Sequence, residues 1–425
     1  MDKKARGIDR LQNLVIVLLS LSAVFLLLQT PLFGDISSTP LSSLFSQSGS
    51  FDAPSSADAA TSPAPVRMML SNNFVRYGAD NASTSDALFE SAGAFLSEAI
   101  GSAEGRQSIS EEDFISHMRQ PGLYFDFCSP LPLELLSSRL GVKPLGDGAY
   151  SVRRCLLSPD GNSVFLYVQG ADGCARFSTA VSAEALKEHL ELQEGNGAEF
   201  AAFLGDDYAH LSPYTLILND VSERKNLNVS NPLADFENTD FLSRAEFNPH
   251  TQDRYAESSG TVVILEGQRI LRLENNGTVV YSGGEAEVDS LYRASVGEQA
   301  SQAEAVAAAR TLLASLLQGR LGEASLYLHS VKETDAGFDL FFDYAADGTR
   351  ILFADGTHAA RLSVTGNSIT DYTIHFRRYQ KSESSSLLLP VKQASAVCRG
   401  YDGAELSVAY IDSFGETVCA DWVID

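Results

Sequence analysis

The hydrophobic positions divide the chain into one uniformly apolar stretch near the start and a long body of alternating and helically spaced patterns. Residues 11–28, LQNLVIVLLSLSAVFLLL, are the only segment both apolar and long enough to consider for crossing a bilayer. As a helix this stretch spans about 27 Å, and carrying it on to Phe33 gives about 34 Å, against a hydrocarbon core of about 30 Å. Residues 34–65 are rich in Ser, Pro, Ala and Gly and read as a flexible linker.

The body then alternates strands and helices. VRMMLSNNFVRYG predicts a strand. Leu88, Phe89, Ala92, Leu96 and Ile100 predict a helix from about Ser85 that Gly101 ends. Ser110 and Asp113 have a capping-box layout ahead of Phe114, Ile115 and Met118. LYFDFCSPLPLELL reads as strand, Pro-bounded turn and short helix. VRRCLLSPDGNSVFLYVQG reads as a hairpin turning at Pro159-Asp160-Gly161, ARFSTAV as a further strand, and Ser182 as the start of a helix carrying Leu186, Leu190 and Leu192.

Residues 211–260 are turn-rich and mark a boundary. After them TVVILEGQRILRLENNGTVVYSG predicts three short strands turning at Glu266-Gly267 and Asn275-Asn276-Gly277. Ser301 and Glu304 form a second capping box before a helix with Val306, Leu312, Leu313, Leu316 and Leu317. The remainder is β-rich. A helix at 302–318 followed by two strands is echoed by a shorter helix at 391–399 followed by strands at 406–411 and 417–424, an imperfect internal repeat.

The expected fold class is therefore α+β: an N-terminal transmembrane helix, a flexible linker, and a multi-domain external body of mostly antiparallel sheets with packed helices. The expected division is a cytoplasmic tail at 1–10, the transmembrane helix at 11–33, the linker at 34–65, an N-terminal α+β domain at 66–210, a middle β-rich segment at 211–298 and a C-terminal α+β domain at 299–425, the last two topologically related.

Charge orients this arrangement. Lys3, Lys4, Arg6 and Arg10 precede the apolar stretch, and the next basic residue is Arg67. Basic residues stay on the cytoplasmic side, so the tail is expected inside and the body outside a single-pass anchor in the cell membrane. A cleaved signal peptide is the rival reading; its apolar core would be shorter, and Thr30-Pro31-Leu32-Phe33 is a poor cleavage site. With 55 acidic and 31 basic residues the net charge is −24, which argues against nucleic acid and against broad contact with anionic lipid as partners.

The search for chemistry finds little. The five cysteines are far apart and lack metal spacing; Cys398 and Cys419 either pair within the C-terminal unit or, like the others, are buried free thiols. No two of the seven histidines lie within ten residues of each other, and nucleotide-binding, zincin and nucleophile-elbow motifs are absent. Ser222 and Lys225 match S-x-x-K in a charged, turn-like stretch with no K-T-G after it. The acidic run from Asp235 to Asp240 lacks the residue order of a calcium loop. No catalytic residue, cofactor or metal is expected. The polar positions of the apolar stretch are the candidate partner-binding residues. Asn13 and Ser20, and Ser22 and Gln29, are each seven apart, on nearly opposite helix faces, where each can bond a neighbouring helix for roughly 0.6–2 kcal/mol.

Several motifs together resemble a known family. They are FNPHT at residues 247–251, Arg254-Tyr255, GTVV at 260–263, QRILRL at 268–273, NGTVVY at 276–281, and the closing Val408-Ala409-Tyr410-Ile411 and Trp422-Val423-Ile424. With the N-terminal anchor and LYFDFCSPLPLELL they resemble the YycH/YycI family, membrane-anchored external regulators of the essential cell-wall sensor histidine kinase (YycG, or WalK) of Gram-positive bacteria. The resemblance implies a non-enzymatic regulator with an N-terminal domain followed by two related α+β domains. It also implies contacts with the sensor histidine kinase and with a sister YycH/YycI-type protein. Two other classes remain: an anchored cell-wall hydrolase, which needs two carboxylates roughly 5–10 Å apart in a cleft, and an extracytoplasmic chaperone or inhibitor module.

Overall fold

The computed structural model describes residues 65–72, 75–80, 82–143, 151–192, 194–219, 221, 223–234, 239–283 and 292–425. Along the chain come β1 (Pro65–Ser71), β2 (Arg76–Ala79), α1 (Ala82–Ser102), β3 (Glu104–Ile109), α2 (Glu111–Met118), β4 (Gly122–Pro132), α3 (Leu133–Arg139), β5 (Ser151–Asp160), β6 (Ser163–Gly170), β7 (Gly173–Ser178) and α4 (Ala183–Glu191). Their strands form an antiparallel sheet in the order β2-β1-β4-β5-β6-β7-β3.

Strict alternation lets this sheet bury both faces. Met68, Phe125, Cys155 and Val168 lie in one cross-strand line and pack with Leu88, Ala92 and Leu96 of α1, Leu136 of α3 and Leu186 of α4. The neighbouring line, Met69, Tyr124, Leu156 and Tyr167, faces the other way onto Phe114 and Met118 of α2 and onto Phe200 and Tyr214. Each such apolar side chain contributes about 1.5–3 kcal/mol on burial. Ser110 caps α2 as expected: its hydroxyl accepts from Asp113 N–H, and the Asp113 carboxylate accepts from Ser110 N–H.

After β8 (Glu199–Phe200) and β9 (Leu216–Ile217), which pair with each other, the chain builds a second sheet. Its elements are β10 (Lys225–Ser230), α5 (Thr239–Arg244), β11 (Arg254–Ala256), β12 (Val262–Glu266), β13 (Arg269–Leu273), β14 (Thr278–Ser282), α6 (Gln302–Leu317), β15 (Ala324–Thr334), β16 (Gly337–Ala346), β17 (Thr349–Phe353), β18 (Ala360–Thr365), β19 (Ser368–His375), β20 (Arg378–Ser385), α7 (Val391–Val397), β21 (Leu406–Asp412) and β22 (Thr417–Ile424). The order is β11-β12-β13-β14-β19-β18-β16-β17-β21-β22-β10-β20, with β15 on β16. All pairs are antiparallel except β17 with β21. The body is thus α+β with mostly antiparallel sheets.

β10, a strand within the stretch read as turn-rich, and β14 hydrogen-bond to β20, β22 and β19 of the C-terminal segment, so one sheet runs through the middle and C-terminal segments. Hairpin turns fall where the sequence placed them; Gly277 has φ of 91°, a conformation glycine adopts at no steric cost. The helix–strand–strand order at α6, β15, β16 recurs at α7, β21, β22. One hydrophobic cluster takes in residues of both sheets, from Met68 to Ala420, within the compact unit Pro54–Asp425. Among the described residues no helix is long and apolar enough to cross a membrane, and 11–33 lie outside them. Cys155, Cys174, Cys398 and Cys419 are free thiols, the last exposed, so Cys398 and Cys419 are not paired with each other.

Candidate functional site

One step along from the Met69 line, on the same face of the first sheet, the cross-strand line turns polar. Arg67 of β1 lies opposite Asp126 of β4, Asp126 opposite Arg154 of β5, and Arg154 opposite Gln169 of β6. Alternation therefore sets a row of charge beside a row of large apolar side chains. Arg67 Nη2 lies 2.9 Å from Asp126 Oδ2, and Arg154 Nη1 donates to Gln169 Oε1 at 2.9 Å.

The row is completed from the far end of the chain. Glu405, directly before β21, is held by backbone hydrogen bonds in both directions with Asp425. Its carboxylate accepts from Arg67 Nη2, from Arg153 Nη2 at 2.8 Å and from Arg154 Nη2 at 2.5 Å. The Glu405 and Asp126 side chains are 6% and 1% exposed, so these charges interact in a medium far less screening than water. Burial alone would raise the Glu405 pKa; the attraction of Arg67, Arg154 and Arg153 reverses this and holds it at about 2. Burial and the nearby Asp126 carboxylate push the Tyr124 hydroxyl well above its ordinary range. The Arg154 guanidinium also lies over the Tyr214 ring, 4.0 Å from its centroid, and Tyr214 Oη donates to Glu111 Oε1 of α2.

Beside this cluster runs a cleft lined by Arg67, Asp80, Leu218, Arg350, Leu406 and Trp422 among others, with about 40 Å³ of free volume. Sites for small molecules are typically about 300–1,000 Å³. This one has room for a water molecule or so, and its charges are engaged: Arg350 donates to Asp425 Oδ2 at 2.5 Å, and Asp80 Oδ2 lies 3.3 Å from Arg224 Nη2. The geometry joins two sheets and does not form a reaction vessel. A hydrolase acid must hold its proton near neutral pH, whereas Glu405 is locked in its ionised form by three guanidiniums. Two hydroxyl–imidazole contacts, Ser395 with His210 at 3.4 Å and Thr278 with His375 at 2.9 Å, involve residues only 1% and 6% exposed.

A second cluster lies on the other sheet. His329, Asp343 and His358 converge there, each offering one ligand atom within 4.8 Å of the others. Burial would raise the Asp343 pKa, and the two facing imidazoles more than offset this, holding it at about 2.

The sequence singled out none of these residues. Arg67 and Glu405 are 338 positions apart, and the histidine pair is separated by β16, β17 and the turns around them. The available signal was an alternating strand that places charge on an otherwise apolar face, at Arg67, Asp126 and Arg154. The proposed contact residues Asn13, Ser20, Ser22 and Gln29 lie outside the described residues, as does Ser222. Asp240 is on α5, where its Oδ2 accepts from Arg244 Nε at 2.9 Å and from Arg320 Nη2 at 3.1 Å.

Taken together, these observations define an α+β protein in which Arg67, Asp126, Arg153, Arg154 and Glu405 link the two sheets. No protein-family profile matches the chain, and no curated protein matches it in sequence. Among solved structures, the crystal structure of YycH from Bacillus subtilis is similar over 85% of this chain and 92% of that one, with a TM-score of 0.55 at 12% identity. The chain has the YycH-like fold, which is the fold that the residues at 247–281 and 408–424 pointed to.

Proposed function

We propose that the protein is a membrane-anchored extracytoplasmic regulator that binds and modulates a sensor histidine kinase of a two-component system controlling cell-wall metabolism. The observation that carries this reading is the extent of the fold likeness to YycH, 92% of that chain. The net charge of −24 fits an external, soluble-surfaced body. The recurrence of helix, strand, strand in the C-terminal half supports two related units at its end.

In this reading residues 11–33 cross the membrane with 1–10 inside and the body outside, and Asn13, Ser20, Ser22 and Gln29 contact the membrane helices of the kinase. A kinase that signals by exchanging two helix arrangements is biased by any partner helix that packs better against one of them. The body adds external contacts with the kinase and with a sister YycH/YycI-type protein, and no catalysis is needed.

A photoreactive residue at position 20 or 22 in the full chain is expected to crosslink the kinase in cells. Removal of residues 1–33 is expected to abolish signalling while the exported body still folds. Full signalling by that soluble body would overturn the reading.

A further inference from the structure

The cluster at His329, Asp343 and His358 has no part in the regulatory reading. His329 is on β15, Asp343 on β16, and His358 in the segment directly before β18. Because β16 is hydrogen-bonded to both β15 and β18, the three side chains meet from three adjacent chain segments. Along β16 Leu340, Phe342 and Tyr344 are fully buried in the core, and alternation puts Asp343 on the opposite face.

Two of the ligand separations fit a shared ion, and all three ligand atoms lie within 4.8 Å of one another. His329 Nδ1 is 2.9 Å from Asp343 Oδ2 and His358 Nδ1 is 3.0 Å from Asp343 Oδ1, with the imidazole centroids 4.7 Å apart. Nitrogen and oxygen ligands about 2.0–2.2 Å from one ion stand about 2.9–3.5 Å from each other, depending on coordination number.

Three further features point the same way. The β15–β16 register slips between Leu328 and Ser330, which makes His329 the additional residue of a β-bulge, a device that re-aims a side chain. His329 Nδ1 is buried and, despite its closeness to Asp343, has no aligned hydrogen bond. The carboxylate is fixed by Ala359 N–H, which donates to Oδ1 at 3.3 Å. The histidine side chains are 35% and 30% exposed and the Asp343 side chain 7%, so the cluster is anchored below and open to solvent above.

Two imidazoles and one carboxylate suit zinc-like transition metals, whereas calcium and magnesium prefer all-oxygen sets. We infer that His329, Asp343 and His358 bind a divalent transition-metal ion of the zinc class, one ligand atom from each, with the remaining positions open to solvent. The ion would replace the proton now shared between the His358 imidazole and the Asp343 carboxylate and clamp β15, β16 and the segment before β18 together. This inference is independent of the kinase reading.

The test uses the full, untagged chain in detergent, stripped of metal. Zn²⁺ titrated calorimetrically, and Co²⁺ followed by visible absorption, are expected to show one saturable site per chain. His358→Gln, His329→Gln and Asp343→Asn are each expected to weaken binding by about tenfold or more, whereas Cys419→Ser, at an exposed thiol, leaves it unchanged. Zn²⁺ is expected to raise the thermal midpoint of the wild type but not of His358→Gln. His358→Gln changes a partly exposed side chain, and far-UV circular dichroism without metal verifies its fold. Absence of saturable binding by the wild type, or equal binding by the three variants, overturns the inference in favour of a plain hydrogen-bonded His–Asp–His network.

Discussion

Glu405 shows how much one side chain can carry when its partners are buried. Replacing it with Gln leaves Arg67, Arg153 and Arg154 facing Asp126 alone, and an uncompensated buried charge costs about 3–5 kcal/mol. Glu405→Gln is therefore expected to lower the urea midpoint by that equivalent. The wild type should also be acid-sensitive in a definite window. Because the folded-state pKa is depressed from 4.5 to about 2, the Glu405 contribution is present above pH 4.5 and is lost as pH falls toward 2. The loss is on the order of 3 kcal/mol. A pH series of urea midpoints reads it, and Glu405→Gln should flatten the curve in that window; an unchanged curve would show that the carboxylate does not titrate there. At this scale the sequence was least legible. The alternation in β1, β4 and β5 exposes the odd placement of Arg67, Asp126 and Arg154, but nothing local announces that the missing carboxylate comes from residue 405.

Elements were legible wherever their determinants are local. Ser301 and Glu304 make the reciprocal cap that their spacing predicts, with Ser301 N–H donating to Glu304 Oε2 at 2.8 Å and Glu304 N–H to Ser301 Oγ at 3.3 Å. Ser301→Ala is expected to cost about 1 kcal/mol and Ser301→Asn far less, measured as shifts in the urea midpoint; equal losses would mean that the cap contributes through something other than its acceptor oxygen. Other boundaries depended on distant partners. Residues 239–244 look like part of a turn-rich stretch, yet they form α5, whose Asp240 is gripped by Arg320 across 80 residues. SITDYTIHFRRYQ falls in the stretch read only as β-rich, and it divides into β19 and β20 around Phe376 and Arg377. Arg377 turns inward there to donate to both oxygens of Asp412, Nε at 2.6 Å and Nη2 at 2.9 Å, and Tyr379 Oη donates to the same carboxylate at 2.8 Å. Propensity set what could form, and at Arg377 a buried charge pair marks where β19 gives way to β20.

At the scale of the molecule, fold class was legible and strand order was not. Hairpins such as β12–β13 and β21–β22 follow from turns, whereas β10 beside β20 and β22, or β17 parallel to β21, rest on pairings that no periodicity encodes. Pairing of β16 with both β15 and β18 brings His329, Asp343 and His358 together, although they are too far apart in sequence to read as a ligand set. Contacts between residues distant in sequence also couple the two sheets. Ser129 Oγ of β4 donates to Leu328 O of β15 at 3.0 Å, Ser212 N–H donates to Ala404 O at 2.8 Å, and Glu405 closes the ion cluster one residue later. With a shared apolar cluster beneath these contacts, the sheets should unfold together. Trp422, the only tryptophan, sits on β22 with its Nε1 donating to Leu389 O at 2.8 Å, so its fluorescence reports the C-terminal sheet. Far-UV circular dichroism reports both sheets. In urea the two signals are expected to change at one midpoint in the wild type. In Glu405→Gln the shared midpoint should fall while the two signals stay coincident, because the apolar cluster common to both sheets survives the loss of the charge link. Two midpoints already present in the wild type would show that the sheets are held only side by side, and that the buried ion cluster does not make them one cooperative body.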